Sequence, residues 1–453
     1  MSKTHPQPSA AVIVGLGVTG LSCARYLLGL GWRISVTDSR EDPPGRAELL
    51  ELNPDVSVRF GGLDTTLLEG ASCVLASPGV PLSDPLFVEA RRRGITIAGD
   101  IEMFAAAADA PVVGITGTNG KSIVTTLLAR MAERAGLRVR AGGNLGEPAL
   151  DLLRAAQADS RPTELYVLEL SSYQLETTSS LELRAATVLN VTPDHMDRYG
   201  SITEYAAAKA RIFAHCDTAV INLDDPLVAA MPQQAERVVG FSLRDAPGAD
   251  YTVGVHEAGK PWLFRRGEPL IAMESMRLKG LHNAANALAA LALGEAIGLP
   301  LAAMLEELVS FPGLAHRSQW VAEVRGVSYV DDSKGTNVGA TLAAVAGFAG
   351  PLIVIAGGDG KSQDFAPLRE AFRGKVRCVV LIGRDAPAIE QALDNVCPIQ
   401  RSTTLPEAVR AAAQAARPGD TVLLSPACAS LDMFRNYAHR GEVFSRAVQE
   451  LAA

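Results

Sequence analysis

The segment Gly117-Thr118-Asn119-Gly120-Lys121-Ser122 has residue types and spacing suited to holding a polyphosphate. Glycines let successive backbone N–H groups point at phosphate oxygens, and a helix N-terminus behind them adds a favourable dipole. Lys121 can reach the β- and γ-phosphates, and the Ser122 hydroxyl can hold Mg²⁺. The common form of such a loop begins with glycine at position 115, which here is Ile115. With Gly117 as its first glycine, this loop is shorter.

A second glycine turn, Gly15-Leu16-Gly17-Val18-Thr19-Gly20, matches the dinucleotide fingerprint. Asp38 follows Gly20 by 18 residues, near the ~20 expected of a ribose-binding acid. Alone this suggests an NAD-dependent oxidoreductase. Physically it requires only that a nucleotide diphosphate lie on the turn, and a nucleotide-linked substrate would satisfy it equally.

Further polar clusters follow apolar runs. Glu169, in Leu168-Glu169-Leu170-Ser171-Ser172, could complete a Mg²⁺ site with Ser122 or be a surface carboxylate. Asn190-Val191-Thr192-Pro193-Asp194-His195-Met196-Asp197-Arg198 places polar groups at a strand's C-terminal end, where open α/β sheets bind ligands. Lys209, within Tyr205-Ala206-Ala207-Ala208-Lys209, reads by itself as a solvated helix lysine. Near the C-terminus stand His316-Arg317, Asp331 to Asn337, Gly357 to Lys361 and Ser425 to Ser430. Cationic side chains there could clamp phosphates and carboxylates.

These residues need strand–helix units to position them. Ala11 to Val14, Arg33 to Thr37 and Cys73 to Ala76 read as the first, second and third strands, with a helix from Leu21 to Leu30. Strands alternating with helices imply a parallel sheet. The run Ala105 to Ala108 with Asp109-Ala110-Pro111 reads as a linker. Val112 to Ile115 is then a strand, and the four-residue spacing of Ile123, Leu127 and Met131 predicts an amphipathic helix to Arg134. Residues 242–273 look like β-hairpins at a sheet edge. After the break Phe311-Pro312-Gly313, a hairpin over Trp320 to Val330 leads into strands Leu352 to Ala356, Val376 to Ile382 and Thr421 to Leu424. The fold class is α/β with three domains: a Rossmann-like N-terminal domain (1–105), a central P-loop ATPase-type α/β domain (106–313) and a Rossmann-like C-terminal domain (314–453).

The 453 residues suit two to four domains. A net charge of −8 argues against a non-specific nucleic-acid binder. Cysteines 23, 73, 216, 378, 397 and 428 have no Cys-x-x-Cys spacing, so buried free thiols in a reducing cytosol are expected. The polar N-terminus has no signal-peptide core, and no apolar stretch approaches a membrane span. A cytoplasmic protein is expected, without membrane or nucleic-acid partners.

The loop Gly117 to Ser122, the Asn190 to Arg198 motif, Gly280-Leu281-His282-Asn283-Ala284-Ala285-Asn286 and Asp332-Ser333-Lys334 together resemble the Mur ligases. The resemblance runs from about Val12 to Phe444. Gly15 to Ser22, Gly357 to Lys361 and Ser425 to Phe434 resemble the members that join D-glutamate to UDP-N-acetylmuramoyl-L-alanine. The related folylpolyglutamate synthetases lack the first domain, which is present here. The resemblance implies an ATP-dependent, ADP-forming amide ligase of peptidoglycan precursor synthesis, acting through an acyl phosphate, with two Mg²⁺ ions and as a monomer. It implies that Val18, Thr19, Asp38, Ser39 and Arg40 hold the uridine diphosphate end, with Gly79 nearby. Asn144 and His195 would contact the sugar-peptide side or the metals. The loop Gly117, Thr118, Asn119, Gly120, Lys121 and Ser122 would hold ATP with Asn283, Asn286, Arg317 and Asp332. Ser122 and Glu169 would bind one Mg²⁺; His195 and a carbamylated Lys209 would bind the second. Lys334, Thr336, Lys361, Ser430, Leu431 and Tyr437 would bind D-glutamate. Lys121, Glu169, His195 and Lys209 would be the catalytic set. Two positions depart from the family pattern: Ile123, where Thr is frequent, and Tyr437, where Phe is frequent.

Overall fold

The computed structural model describes residues 9–231, 234–278, 280–348, 350–361 and 363–452. Most of the N-terminal stretch read above as lacking a signal core lies outside them. Among the described residues the strands form three sheets.

The first sheet is parallel, in the order Ser57–Phe60, Arg33–Asp38, Ala10–Val14, Cys73–Ala76, Thr96–Ala98. The chain leaves Ala10–Val14 first to one side and then to the other, which opens a ligand crevice at that strand's C-terminal end. The glycine turn sits there. A Cβ on Gly20 would lie 1.9 Å from the Gly15 carbonyl oxygen, so only glycine lets helix Val18–Gly29 start against the turn. Cys73–Ala76 is the fourth strand rather than the third. The unanticipated Ser57–Phe60 is a short edge strand with exposed Ser57 and Arg59, too polar to stand out as a strand.

The central sheet runs Glu268–Ala272, Lys260–Arg265, Ala249–His256, Arg237–Ser242, Cys216–Asn222, Leu183–Val188, Val112–Thr116, Leu165–Glu169, Val139–Gly143. Its first three strands pair antiparallel at the edge, as the turn-rich composition of 242–273 predicts. Helices Lys121–Arg134 and Leu281–Ala296 cover one face, burying Val124, Leu127, Leu128, Leu288 and Leu291.

The first two units share a continuous apolar core, in which Ile101, Phe104, Leu150 and Tyr166 are buried together. Phe104 meets Tyr166 edge-on, with ring centroids 5.1 Å apart. The alanine run expected as a linker instead completes helix Asp100–Ala107, with Ala105 buried. Alanine has the highest helix propensity, and this face has a core to pack against.

The third sheet runs Gln319–Val324, Val327–Asp331, Thr421–Leu424, Leu352–Gly357, Val376–Ile382, Ile399–Arg401. It is parallel apart from the predicted hairpin at its edge. Separate cores lie on its two faces. The six cysteines are free thiols. Among the described residues no helix is long and apolar enough to cross a membrane.

Candidate functional site

The short glycine loop leaves strand Val112–Thr116 and enters helix Lys121–Arg134. Gly120 caps that helix in the left-handed region (φ 85°), and a Cβ there would meet Asn286 Oδ1 at 2.4 Å. The loop is bonded to the Asn190–Arg198 motif. Asn119 N–H donates to Asn190 Oδ1 at 2.8 Å, and Thr118 Oγ1 donates to the Thr192 carbonyl at 3.1 Å. Lys121 Nζ folds back onto the Gly117 and Thr118 carbonyls, both at 2.9 Å.

Ser122 and Glu169 come together as anticipated. Ser122 Oγ donates to Glu169 Oε2 at 2.6 Å, and Asn144 Nδ2 donates to Glu169 Oε1 at 2.8 Å. Glu169 is buried, so its reading as a surface carboxylate is discarded. Arg317 arrives from the third domain and donates from Nη2 to Ser122 Oγ at 2.6 Å. Its neighbours His316 and Ser318 both have left-handed backbones (φ 63° and 48°), strain of a kind found at functional sites. A second bond crosses the same boundary, from Asn337 Nδ2 to Asp194 Oδ2 at 3.2 Å. The central and third domains are therefore closed on each other at the phosphate loop.

Lys209 is not the solvated lysine its local sequence suggests. It is 1% exposed. Its Nζ donates to the Gly117 carbonyl at 2.9 Å and lies 4.4 Å from the Tyr205 ring centre. Helix Ile202–Ala210 puts Tyr205 and Lys209 on one face, and the intervening alanines leave that face narrow enough to bury. Burial pushes the Lys209 amine well below its usual pKa, and the nearby Lys121 charge pushes the same way. Lys121 is lowered by burial, and so is Arg317. Lys334 falls to about 8, through burial and then the Arg317 charge. All four basic groups feel the Glu169 carboxylate. Burial lifts Asp332 to about 7, which further reduces the negative charge available to them. Asp194 is the other carboxylate acting on Lys121 and Lys209, and the basic groups outnumber the carboxylates around the loop.

His195 stands beside this cluster with a left-handed backbone (φ 58°). Burial lowers its pKa against the opposing effect of Asp194, which favours the neutral imidazole. Among the described residues no group of three or more His, Cys, Asp or Glu side chains could hold a metal ion. A Mg²⁺ ion held by Glu169 here would complete its shell from substrate phosphates, water or the Ser122 hydroxyl.

Two clefts hold most of the remaining candidates. Asn119, Gly120, Asn283, Asn286, Arg317, Asp332 and Lys334 line one, between the central and third domains. Val18, Thr19, Asp38, Ser39, Arg40, Gly79 and Asn144 line the other, at the crevice of the first sheet. His195 is not in that second lining. Asp38 is fully engaged: its carboxylate accepts from Leu16 N at 2.7 Å and from Arg40 Nε and Nη2 at 2.9 and 2.7 Å. A ribose hydroxyl would have to displace one of these bonds, which counts against the NAD reading.

The remaining candidates lie on loops at the C-terminal edge of the third sheet and at the start of helix Tyr437–Ala452. Lys334 Nζ sits 3.9 Å from the Tyr437 ring centre. Thr336 is half-buried, Ser430 is buried and Leu431 is 71% exposed. Lys361 has a left-handed backbone (φ 49°), and its charge reaches both His195 and Lys334. Sequence reasoning missed Arg440, which is 1% exposed and ties two of these loops together. It donates to the Ser333 hydroxyl and carbonyl at 3.0 and 2.7 Å and to the Cys428 carbonyl at 3.1 Å. An arginine in a polar-looking helix carries no local signal of such a role.

Comparison with known proteins agrees with this arrangement. Three family models match: "Mur ligase MurD-like, N-terminal domain" over residues 9–99, "Mur ligase middle domain" over 115–294, and "Mur ligase, glutamate ligase domain" over 316–428. A UDP-N-acetylmuramoylalanine--D-glutamate ligase of Nitrosococcus oceani is 52% identical, covering 99% of this chain and 98% of that protein. The enzyme of the same name from Pseudomonas aeruginosa is 51% identical over 97% of this chain and 98% of its own length. Among solved structures, UDP-N-acetylmuramate-alanine ligase from Thermotoga maritima shares the fold, with a TM-score of 0.60 at 18% identity, covering 98% of this chain and 99% of that one. None of these matches supports an oxidoreductase. With its three domains matched in order and near-complete relatives at about half identity, the chain belongs to the Mur ligase family.

Proposed function

We propose that the protein joins D-glutamate to UDP-N-acetylmuramoyl-L-alanine with hydrolysis of ATP to ADP and phosphate, a step of peptidoglycan precursor synthesis. One observation carries the ATP half of this reading. The cations Lys121, Arg317 and Lys334, drawn from two domains and all at least partly buried, gather around Glu169 at a glycine loop, with the buried Lys209 amine beside them. Partly buried charges of one sign held close together need compensation, and a polyphosphate supplies it. The amino-acid and nucleotide halves rest on the printed activity of relatives about half identical along nearly the whole chain.

A carboxylate is a poor acyl donor because oxide is a poor leaving group. Transfer of the ATP γ-phosphoryl to the L-alanine carboxylate gives an acyl phosphate. The D-glutamate amine then attacks the acyl carbon and phosphate leaves. Lys121 and Arg317 are assigned to spread charge on the transferring phosphoryl. Lys334, Thr336, Lys361, Ser430, Leu431 and Tyr437 are assigned to D-glutamate, and the crevice of the first sheet to the uridine diphosphate. Closure between the central and third domains keeps water from the acyl phosphate.

Ser122 Oγ and Glu169 Oε2, 2.6 Å apart, are hard oxygen donors suited to Mg²⁺. Mg²⁺ held there supplies charge neutralisation for phosphoryl transfer. His195 and Lys209 are assigned to a second ion. A buried, deprotonated Lys209 amine can add to CO₂ with loss of a proton, which yields a carbamate and turns a cation into an oxygen ligand. Its depressed pKa supports that chemistry. ATP and a nucleotide-linked precursor place the reaction in the cytoplasm, and a monomer suffices for a site built from one chain.

The test mixes protein, Mg²⁺, ATP and UDP-N-acetylmuramoyl-L-alanine with either D- or L-glutamate. Phosphate release with D-glutamate alone is expected. Equal release with both isomers, or none with either, would reject the assignment.

A further inference from the structure

Arg198 takes no part in the chemistry above, yet it touches both the nucleotide crevice and the reaction centre. Its backbone N–H donates to the His195 carbonyl at 3.0 Å. Its side chain crosses into the first domain, where Nη1 donates to the Val80 and Pro78 carbonyls at 3.2 and 3.4 Å. These two residues flank Gly79, which lines the nucleotide crevice. Nη2 pairs with Glu176 at 2.5 Å, and Glu176 also accepts from the Tyr199 hydroxyl at 2.6 Å. The guanidinium lies 4.3 Å from the Tyr173 ring centre. Tyr173 in turn meets the His195 imidazole edge-on, with centroids 5.0 Å apart.

His195 holds a left-handed backbone, a conformation that persists in a non-glycine residue only when its surroundings enforce it. The backbone N–H groups of Arg198 and Tyr199 hold the His195 carbonyl, at 3.0 and 3.1 Å, and the Arg198 side chain adds a constraint of its own through the Tyr173 ring. The same guanidinium is fastened to the first domain on either side of Gly79. A movement of either site is therefore transmitted to the other through the guanidinium and the Tyr173 ring beneath it.

We propose that Arg198 is a positioning residue that holds the Gly79 turn of the nucleotide crevice and His195 of the reaction centre in one fixed geometry. The proposal rests on the functional reading above. Arginine is required because its planar fork serves two carbonyls and a carboxylate while its face covers a ring; a lysine ammonium cannot do all of these.

The test uses the full-length enzyme and the variants Arg198→Lys and Glu176→Gln. The KM of each substrate, kcat, and calorimetric binding of UDP alone are measured. In Arg198→Lys the KM for the nucleotide substrate should rise about tenfold and kcat should fall by a similar factor, because small misplacements of reacting groups cost rate steeply. The KM for ATP should stay within about twofold, since the phosphate loop keeps its own contacts. Glu176→Gln keeps the guanidinium on the carbonyls and should shift the same constants less; it carries the test if Arg198→Lys does not fold. Unchanged constants in both variants would overturn the proposal. So would equal increases in all three KM values, which mark general loosening. If the wild-type protein makes no product, the functional reading fails, and weaker UDP binding by Arg198→Lys still supports the clamp while equal binding overturns it.

Discussion

Replacing Asp38 with Asn isolates one charge at the turn of the nucleotide crevice. Asp38 is 2% exposed. Burial alone would raise its pKa. The bonds from Arg40 and from the Leu16 and Arg40 backbone outweigh that effect and bring it from 3.8 to about 2. A carboxylate with a depressed folded pKa stabilises the fold fully above its unfolded value and loses that contribution as the pH falls through its folded value. The difference from 3.8 to about 2 corresponds to roughly 2.5 kcal/mol at most. Arg40 is half exposed, so solvent screening should reduce this to about 1–1.5 kcal/mol. Asn keeps an acceptor for the Leu16 N–H but cannot form the ion pair. Asp38→Asn should therefore be about 1–1.5 kcal/mol less stable than wild type at neutral pH. The gap should close as the pH falls from 3.8 toward about 2. Urea unfolding of both proteins across that range, followed by circular dichroism and by tryptophan fluorescence, to which buried Trp32 contributes, gives the comparison. A gap of constant size at every pH, or no gap at neutral pH, would refute the reasoning.

Other consequences follow from the same geometry. Lys209→Arg should retain the fold but lose about a thousandfold or more in phosphate release, because a guanidinium cannot form the carbamate; ¹³C NMR with labelled bicarbonate should show a carbamate signal only in wild type. Lys334 has a pKa lowered to about 8, so it loses its charge as pH rises through that value, and the KM for D-glutamate should climb above it. Lys334→Arg should flatten that dependence, and a KM profile identical to wild type would remove Lys334 from the amino-acid site. Gly120→Ala forces a left-handed alanine to within 2.4 Å of Asn286 Oδ1 and should weaken ATP binding, read by calorimetry, with UDP binding unchanged.

Much of the fold and site was legible in the residue order because the informative signals are local. A glycine turn between an apolar run and an amphipathic run places phosphate-binding groups without knowledge of the rest of the chain, and both Gly15–Gly20 and Gly117–Ser122 sit as such turns must. Turn-rich composition likewise marks the hairpins beyond Ser242. The edge strand Ser57–Phe60 escaped notice because its exposed face is polar. The alanine run at Ala105 was misjudged because low side-chain complexity suits a linker and a packed helix equally, and only the neighbouring core decides between them.

The sequence by itself determined that two nucleotide-type turns and a third, cation-rich unit occur in this order. Tertiary structure alone decided what those groups become. Lys209 and Arg440 look like surface cations in their own helices, and folding buries both. Arg198 looks like one more polar residue in a motif, and folding sets it between two domains. Burial and charge proximity depend on segments far apart in the chain, such as Gly117 and Lys209, 92 residues apart, and those properties set the pKa of Lys209 and the charge balance around Lys121. Spacing along the chain does not encode them.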